Sequence, residues 1–391
     1  MDLKKIEQAV LSHCVYIKKI DVIMQDGYPY AIIEPNYETL AEANIINIES
    51  EIRWYGVELY NIEADERYKI KGYKIVADKL QEEDGPDDKV YEILKLYLST
   101  MTKQRIYPSS HLELNLGLDS LDYVELFIFI EKSFGVEIDE RRFSKMMNLN
   151  SLYAYIKEHK KYVKRIDVDW DEVLQEEIEE ELVYSPFIMF LYKTVLLPLF
   201  KVFFRIEIKG SENIPKTPCI IAPSHQSMLD GFLIEATLPY KILKKTFFLA
   251  FKQVFGTALL EPVAKHGQSI LIDANENLKH TMQYCALPLK DGNNLVIFPE
   301  GARSRDRKLL EFRPFYAMLA KTFNLPIVPV LIDGSFEALG TGKIIPRPKK
   351  IRITYLKPID SKGISYHDLN SKVKEAILKE MIKNPLYPKA S

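Results

Sequence analysis

The 391-residue sequence predicts a multidomain chain: a small α+β module, then a helical bundle, then an α/β domain with a mainly parallel sheet. Three observations predict this. Near the start, two apolar runs flank Asp26-Gly27, a hairpin signal among helical stretches. Between residues 86 and 160, apolar residues recur at helical spacing. From Cys219 onward, short apolar runs alternate with helical stretches, the pattern of strands covered by helices. Composition sets outer bounds. The chain is 47% hydrophobic and 28% charged, as in an ordinary soluble protein, and its net charge of −2 gives no basic field for nucleic acid. Cys14, Cys219 and Cys285 lack metal-ligand spacing, so no metal site is expected and the thiols read as buried in a reducing cytoplasm. Met1-Asp2-Leu3-Lys4-Lys5 opens an amphipathic segment, not a secretion signal.

Residues 1–80 form the first module. Ile6, Val10, Leu11 and Cys14 recur at helical spacing. Ile20–Met24 and Tyr30–Ile33 are the hairpin strands, Leu40–Gly56 a second helix and Tyr68–Val76 a further strand. In this order the elements resemble the C-terminal lid of AMP-forming acyl-adenylate ligases. The large adenylation core is absent, and the usual lysine-bearing ending is replaced by Leu80-Gln81-Glu82-Glu83-Asp84-Gly85. Adenylation is therefore not assigned to this chain. Three readings stay open: a separate AMP-forming acyl ligase supplies the core, the module is a docking remnant, or it is a small packing domain.

Gly85-Pro86-Asp87-Asp88 punctuates the chain. Val90, Ile93, Leu94, Tyr97 and Leu98 then mark a helix. A second helix starts after Leu116-Gly117-Leu118-Asp119-Ser120-Leu121 and runs through Val124, Ile130 and Phe134. A last one passes Leu152 and Ile156. Ser120 falls at a helix N-terminus, where a phosphoryl group would meet free N–H groups and the positive dipole end. The Leu-Gly-Leu-Asp-Ser-Leu motif resembles the prosthetic-group site of acyl carrier proteins, with 86–160 as the carrier. The resemblance implies a four-helix bundle, 4′-phosphopantetheine attached covalently to Ser120 by a phosphopantetheinyl transferase, and a recognition face made by Asp122, Glu125, Glu131, Glu137, Asp139 and Glu140. Asp167–Glu181 holds nine acidic residues and no basic one. With Trp170, Val173, Leu174 and Ile178 as its apolar stripe, 161–182 reads as a charged helical tether that lets the carrier swing.

Residues 183–391 form the last domain. Phe187–Phe204 is strongly apolar, interrupted by Lys193, Lys201 and Arg205, and split by Pro198. It suits an interfacial helix or helical pair with basic anchors at a membrane's cytoplasmic face, with a buried core helix as the other reading. Cys219–Ala222 is a buried strand that turns at Pro223–Ser227 into a helix. Ser227 suits the N-cap with Asp230 three residues on, so His225 falls on the turn and Asp230 in the first helical turn. A carboxylate there can fix the imidazole tautomer and leave the other nitrogen as a base; the same pattern is also a plain capping box. Leu295–Phe298 is a strand that breaks at Pro299-Glu300-Gly301-Ala302-Arg303-Ser304-Arg305. Loops at strand ends carry ligand groups in α/β proteins, and the arginines suit a phosphate, although a solvated turn also fits. Further strands are expected at Phe247–Ala250, Ser269–Ile272, Ile327–Ile332 and Ile351–Tyr355, with helices near 276–289, 314–324 and 366–383.

His225-x4-Asp230, the run Phe298-Pro299-Glu300-Gly301-x-Arg303-Ser304 and the strand Val328-Pro329-Val330 resemble the motifs of glycerophospholipid acyltransferases, over 183–365. That family moves an acyl group from a thioester, acyl-ACP or acyl-CoA, to the hydroxyl of a lysophospholipid or glycerol phosphate. The resemblance implies His225 as general base, Asp230 as its orienting partner, and the Phe298–Ser304 motif binding the acceptor, with Arg303 at its phosphate. One departure is Ile272-Asp273-Ala274-Asn275, where family members carry an arginine; Lys279 and His280 are the nearest substitutes. The alternative function is a non-catalytic carrier or scaffold subunit working with a separate ligase core.

Overall fold

The computed structural model describes residues 3–216, 218–252, 260–273, 275, 277–343 and 345–383. The chain divides into two compact units, 1–169 with 274–279, and 170–273 with 280–391. The first module and the carrier segment thus share one unit, and the expected tether is divided between the two.

In the first unit, strand β1 (Ile17–Gln25) pairs antiparallel with β2 (Tyr28–Pro35). Asp26 and Gly27 both take positive φ, 52° and 80°, the backbone that a two-residue hairpin turn of matching twist requires. β3 (Gly72–Ile75) adds parallel to β2. It is shorter than the expected Tyr68–Val76 because the Asn61 side chain takes both the N–H and the C=O of Ile70, so that backbone joins no ladder. The helix expected over Leu40–Gly56 is interrupted. Tyr37–Glu42 ends near Asn44, which has φ 58°, and helical structure resumes at Ile48–Glu51, widens to π geometry over Ile52–Glu58, and closes with Leu59–Glu63. Gly56 lies in the wide segment, where a Cβ would come 2.8 Å from Ile17 Cδ1; its bare backbone lets this helix approach the sheet. Ile6, Val10, Ile20, Val22, Ala31, Ile33 and Ile52 form the core.

The carrier segment contains helices Lys89–Met101, Ser120–Phe134, Glu140–Phe143 and Leu149–His159. Tyr97 stacks on Phe129 within them, ring centroids 3.5 Å apart. The Glu113 carboxylate accepts the N–H groups of Ile48 and Glu49 at 2.8 and 2.9 Å. This satisfies orphan donors at a helix start in the first module, which is how module and carrier come to pack as one body. Asn275, buried, accepts the N–H groups of Ile46 and Asn47 and donates to Glu51. Asn275 is therefore a staple within this unit.

The tether reading is corrected. Lys161 and Lys164 donate backbone N–H groups to Phe134 and Ser133, and Ile166 donates to the Ser133 hydroxyl, so 161–166 lies along the carrier. Helix is formed over Trp170–Gln175, with Val173 and Leu174 buried in the second unit. There Gln283 donates to Val173 C=O and Lys290 to Glu176 C=O. The two buried apolar side chains and these carbonyl bonds outweigh the solvation of a free acidic segment.

In the second unit, seven strands among the described residues form one sheet in the order β4 (Glu207–Lys209), β10 (Arg352–Tyr355), β9 (Ile327–Asp333), β5 (Ile220–Pro223), β8 (Asn294–Val296), β6 (Thr246–Phe251), β7 (Ser269–Ile272). Its pairs are parallel except β9 with β10. The sheet is thus mainly parallel, as expected, and β4 is the strand missed. All residues of β5, β8 and β9 are buried, which is why they read as continuous apolar runs. Pro186–Phe204 is one 19-residue helix. Pro198 removes one hydrogen bond without breaking it, because Met189 on one side and Phe200 and Phe204 on the other are held in the same core.

Candidate active site

β5 and β8 are parallel neighbours, so the loops leaving their C-terminal ends meet at one edge of the sheet. The first carries His225, the second Glu300. Ser224 is pinned where β5 ends: its N–H donates to Val330 C=O and its hydroxyl accepts the Ile332 N–H. The chain then turns, and helix Asp230–Thr237 begins.

Ser227 is not that helix's N-cap; Leu229 holds the position. The Ser227 hydroxyl accepts the Leu229 N–H at 3.1 Å and donates to Leu339 C=O at 2.6 Å. The Asp230 carboxylate folds back instead. Its Oδ2 accepts from His225 Nδ1 at 3.0 Å, Gln226 N–H at 2.7 Å and Ser227 N–H at 2.8 Å. One oxygen thus ties down the backbone of the turn and orients the imidazole. Asp230 is fully buried, and this pairing places the proton on Nδ1 and leaves Nε2 able to accept one.

The Phe298–Ser304 loop is wrapped round the same histidine. The Phe298 ring lies against the imidazole, centroids 4.2 Å apart and 30° between planes. Glu300 Oε1 accepts the His225 N–H at 2.7 Å, and Oε2 accepts the Leu310 N–H at 2.8 Å. Ser304 donates its N–H to His225 C=O at 2.9 Å. Gly301 takes φ 61° with its N–H on Phe298 C=O, the sharp reversal that brings Glu300 underneath. Burial pushes the Glu300 carboxyl up to about 8, against the lowering effect of its two backbone bonds. Both its oxygens are occupied and only 4% of the residue is exposed, so the structure places Glu300 as the clamp between two loops. Pro299 and Ser304 are buried too; Phe298, Gly301 and Arg303 are half-buried. The clamp and the Phe298 floor went unread in the sequence, although the adjacency of two polar loops after parallel strands was its signal. Of the suggested substitutes for the missing arginine, His280 has Nε2 3.7 Å from Glu180.

Residues 205–333 match the acyltransferase family model, and residues 88–156 match that of the phosphopantetheine attachment site. The chain carries an acyltransferase domain joined to a phosphopantetheine-attachment domain. Among curated relatives, the 1-acyl-sn-glycerol-3-phosphate acyltransferase of Limnanthes douglasii is 31% identical over 172 residues, 43% of this chain and 59% of that protein. The protein of that name from Pseudomonas aeruginosa is 32% identical over 133 residues, 32% of this chain and 48% of the relative. The chain thus spans about half the length of such relatives. The crystal structure of the 1-acyl-sn-glycerophosphate acyltransferase of Thermotoga maritima aligns with 53% of this chain and 91% of its own, at 24% identity and a TM-score of 0.42.

In the attachment domain, Ser120 is the first residue of its 15-residue helix and is half-buried. The expectation of free N–H groups there is corrected. Asp119 and Asp122 form a reciprocal capping box, with Asp119 Oδ1 taking the Leu121 and Asp122 N–H groups. Capping by a carboxylate is the cheaper way to satisfy these donors within the chain. The hydroxyl position on the outermost helical residue fits a covalent phosphodiester, held by Ser120 and favoured by the helix dipole. The expected acidic face is also partly used up: Asp122 caps Asp119, Glu125 accepts the Tyr97 hydroxyl, Asp139 caps Arg142, and Glu140 accepts the Leu278 N–H.

Proposed function

We propose that this protein transfers a fatty acyl group from a thioester to the hydroxyl of a lysophospholipid or acylglycerol phosphate, in phospholipid synthesis or remodelling. The carrying observation is the His225–Asp230 pair, with Nδ1 held at 3.0 Å and the ring braced by Phe298. His225 Nε2 takes the acceptor's hydroxyl proton as its oxygen bonds to the thioester carbonyl carbon. The C–S bond then breaks and the thiol leaves with a proton. A thioester is already activated, so base catalysis and positioning suffice. Asp230 stabilises the imidazolium formed on the way. Arg303, on the loop beyond Gly301, is assigned to the acceptor phosphate, for which a guanidinium is well shaped. Phe298 lines the acceptor side, and Pro299, Glu300, Gly301 and Ser304 shape the loop that presents Arg303.

Attached to Ser120, 4′-phosphopantetheine supplies the thiol that carries the acyl chain; soluble acyl-ACP or acyl-CoA are the other donors. A phosphopantetheinyl transferase supplies the arm, and a separate AMP-forming acyl ligase is the partner assigned to the lid-like first module. The acceptor lies in a membrane, and helix Pro186–Phe204 suits its cytoplasmic surface. By length and composition this helix could also cross a bilayer. Phe187, Val195 and Val202 are 74%, 53% and 83% exposed on it, an apolar stripe that lipid would cover.

The test uses the full chain with an acyl thioester and radiolabelled lysophospholipids of several headgroups. His225→Ala is expected to abolish transfer with the circular dichroism spectrum unchanged, and wild-type turnover by that variant refutes the assignment. Ser120→Ala is expected to show no mass gain with a phosphopantetheinyl transferase and acyl-CoA-free transfer should cease.

A further inference from the structure

The apolar helix Pro186–Phe204 carries Lys193 near its middle, where the sequence suggests an anchor for a lipid surface. The structure turns this side chain inward. Lys193 Nζ donates to Ala236 C=O at 2.8 Å and to Leu238 C=O at 2.7 Å. These carbonyls lie at the C-terminal end of helix Asp230–Thr237, whose C-cap is Leu238. Carbonyls in a last helical turn lack partners within the helix, and a cation there also meets the negative end of the dipole. The other end of the same helix is Asp230, which holds His225 Nδ1. Eight residues make a rod of about 12 Å, too short to absorb a displacement at one end without passing it to the other.

The packing round the clamp leaves this helix two kinds of restraint. Leu233, Ile234 and Ala236 share a core with Met189, Phe200 and Phe204 of the apolar helix. Such contacts set spacing and tilt but resist sliding along the axis weakly, because dispersion has little direction. The two Lys193 bonds are directional. Tyr192, beside it, lies within electrostatic reach of Glu235, which is buried on the same short helix. The helix facing outward thus grips the helix that orients the base.

We propose that Lys193 is a positioning residue for acyl transfer: by clamping the C-terminal end of helix Asp230–Thr237, it sets where Asp230 stands and so how the His225 imidazole is aimed. This rests on the reading of His225 and Asp230 as base and orienting partner. A consequence is that the apolar helix belongs to the site and serves for more than attachment. Seating it correctly is a condition for an active histidine.

The experiment compares full-length Lys193→Met, Lys193→Gln and Lys193→Arg with wild type. Steady-state kinetics with acyl-CoA and lysophosphatidate in detergent micelles are measured over a pH series, alongside the His225 Nδ1–H resonance in histidine-labelled protein. Lys193→Met is expected to lower kcat about tenfold or more, leave both KM values within about twofold, and shift the acid limb of the pH profile. The downfield Nδ1–H resonance should broaden or move. Lys193→Arg should recover most of kcat and the resonance. A folded Lys193→Met with wild-type kcat and pH profile overturns the proposal, as does an arginine variant no better than the methionine one. If methionine prevents folding, the glutamine variant, still a donor but uncharged, is read by the same criteria. If wild type itself transfers nothing, the parent reading fails while the resonance still decides whether Lys193 governs the ring.

Discussion

At the scale of single residues, the site is built from few side chains, each with several partners. Asp230 Oδ2 takes three N–H donors, one from the imidazole and two from the turn. Asp230→Asn keeps the shape and removes the charge, and kcat is expected to fall by on the order of 10²–10⁴, measured by initial rates on folded protein. Ser304 is a contrasting case. Its backbone N–H serves His225, whereas its hydroxyl reaches Asp306 only at 3.4 Å. Ser304→Ala should therefore change kcat/KM by no more than about twofold. His225 and Asp230 were legible in sequence because a strand, a turn and a helix start put a carboxylate in the first helical turn, where it can fold back to an imidazole on the turn. The buried role of Glu300 was not, since a Pro-Glu-Gly turn in sequence is equally an exposed loop; one of the two N–H groups that it accepts comes from the chain leaving β5, distant in sequence.

At the scale of elements, helix Asp230–Thr237 gathers more polar burial than its sequence suggests. Burial pushes the Glu235 carboxyl up to about 8, and its Oε2 has no hydrogen-bond partner. Between the ordinary glutamate value of 4.5 and about 8, the folded chain keeps a proton that the unfolded chain has released. The stability this group contributes is therefore full below the unfolded value and is lost as pH rises through the folded one, with a slope of at most about 1.4 kcal/mol per pH unit. Glu300 is raised likewise and adds to the same trend. Glu235→Gln should leave urea stability nearly unchanged at about pH 4.5 and raise it relative to wild type at about pH 8, as seen in denaturation midpoints. The elements themselves were largely legible. β7 falls where the apolar run predicts, and β9 runs one residue past it. The sequence left one helix or a helical pair open around Pro198, because a proline's local cost is visible in sequence and the core holding both flanks of the single helix is not.

At the scale of the whole molecule, the chain gathers into two compact units, the first holding both the lid-like module and the carrier segment. In the first, Glu113 caps a helix that starts more than sixty residues earlier in the chain. Glu113→Ala should cost about 1 to 2 kcal/mol and lower the melting temperature of module and carrier together, followed by calorimetry; separate transitions with only the carrier affected would contradict their packing as one body. The acidic stretch 167–181 shows why composition misleads about linkers. Its charge count predicts a solvated segment, but Val173 and Leu174 find a buried place and Gln283 and Lys290 supply donors for its carbonyls.

The sequence by itself determined the order of architectures, the serine at a helix start, and the pairing of one histidine with the aspartate five residues on, because local spacing and propensity set these. Only the tertiary structure decided that Glu300 lies under the histidine, that Asn275 staples the first unit, and that Lys193 turns inward. Each depends on which backbone donors or acceptors are left unpaired once distant segments meet, and no local pattern records that.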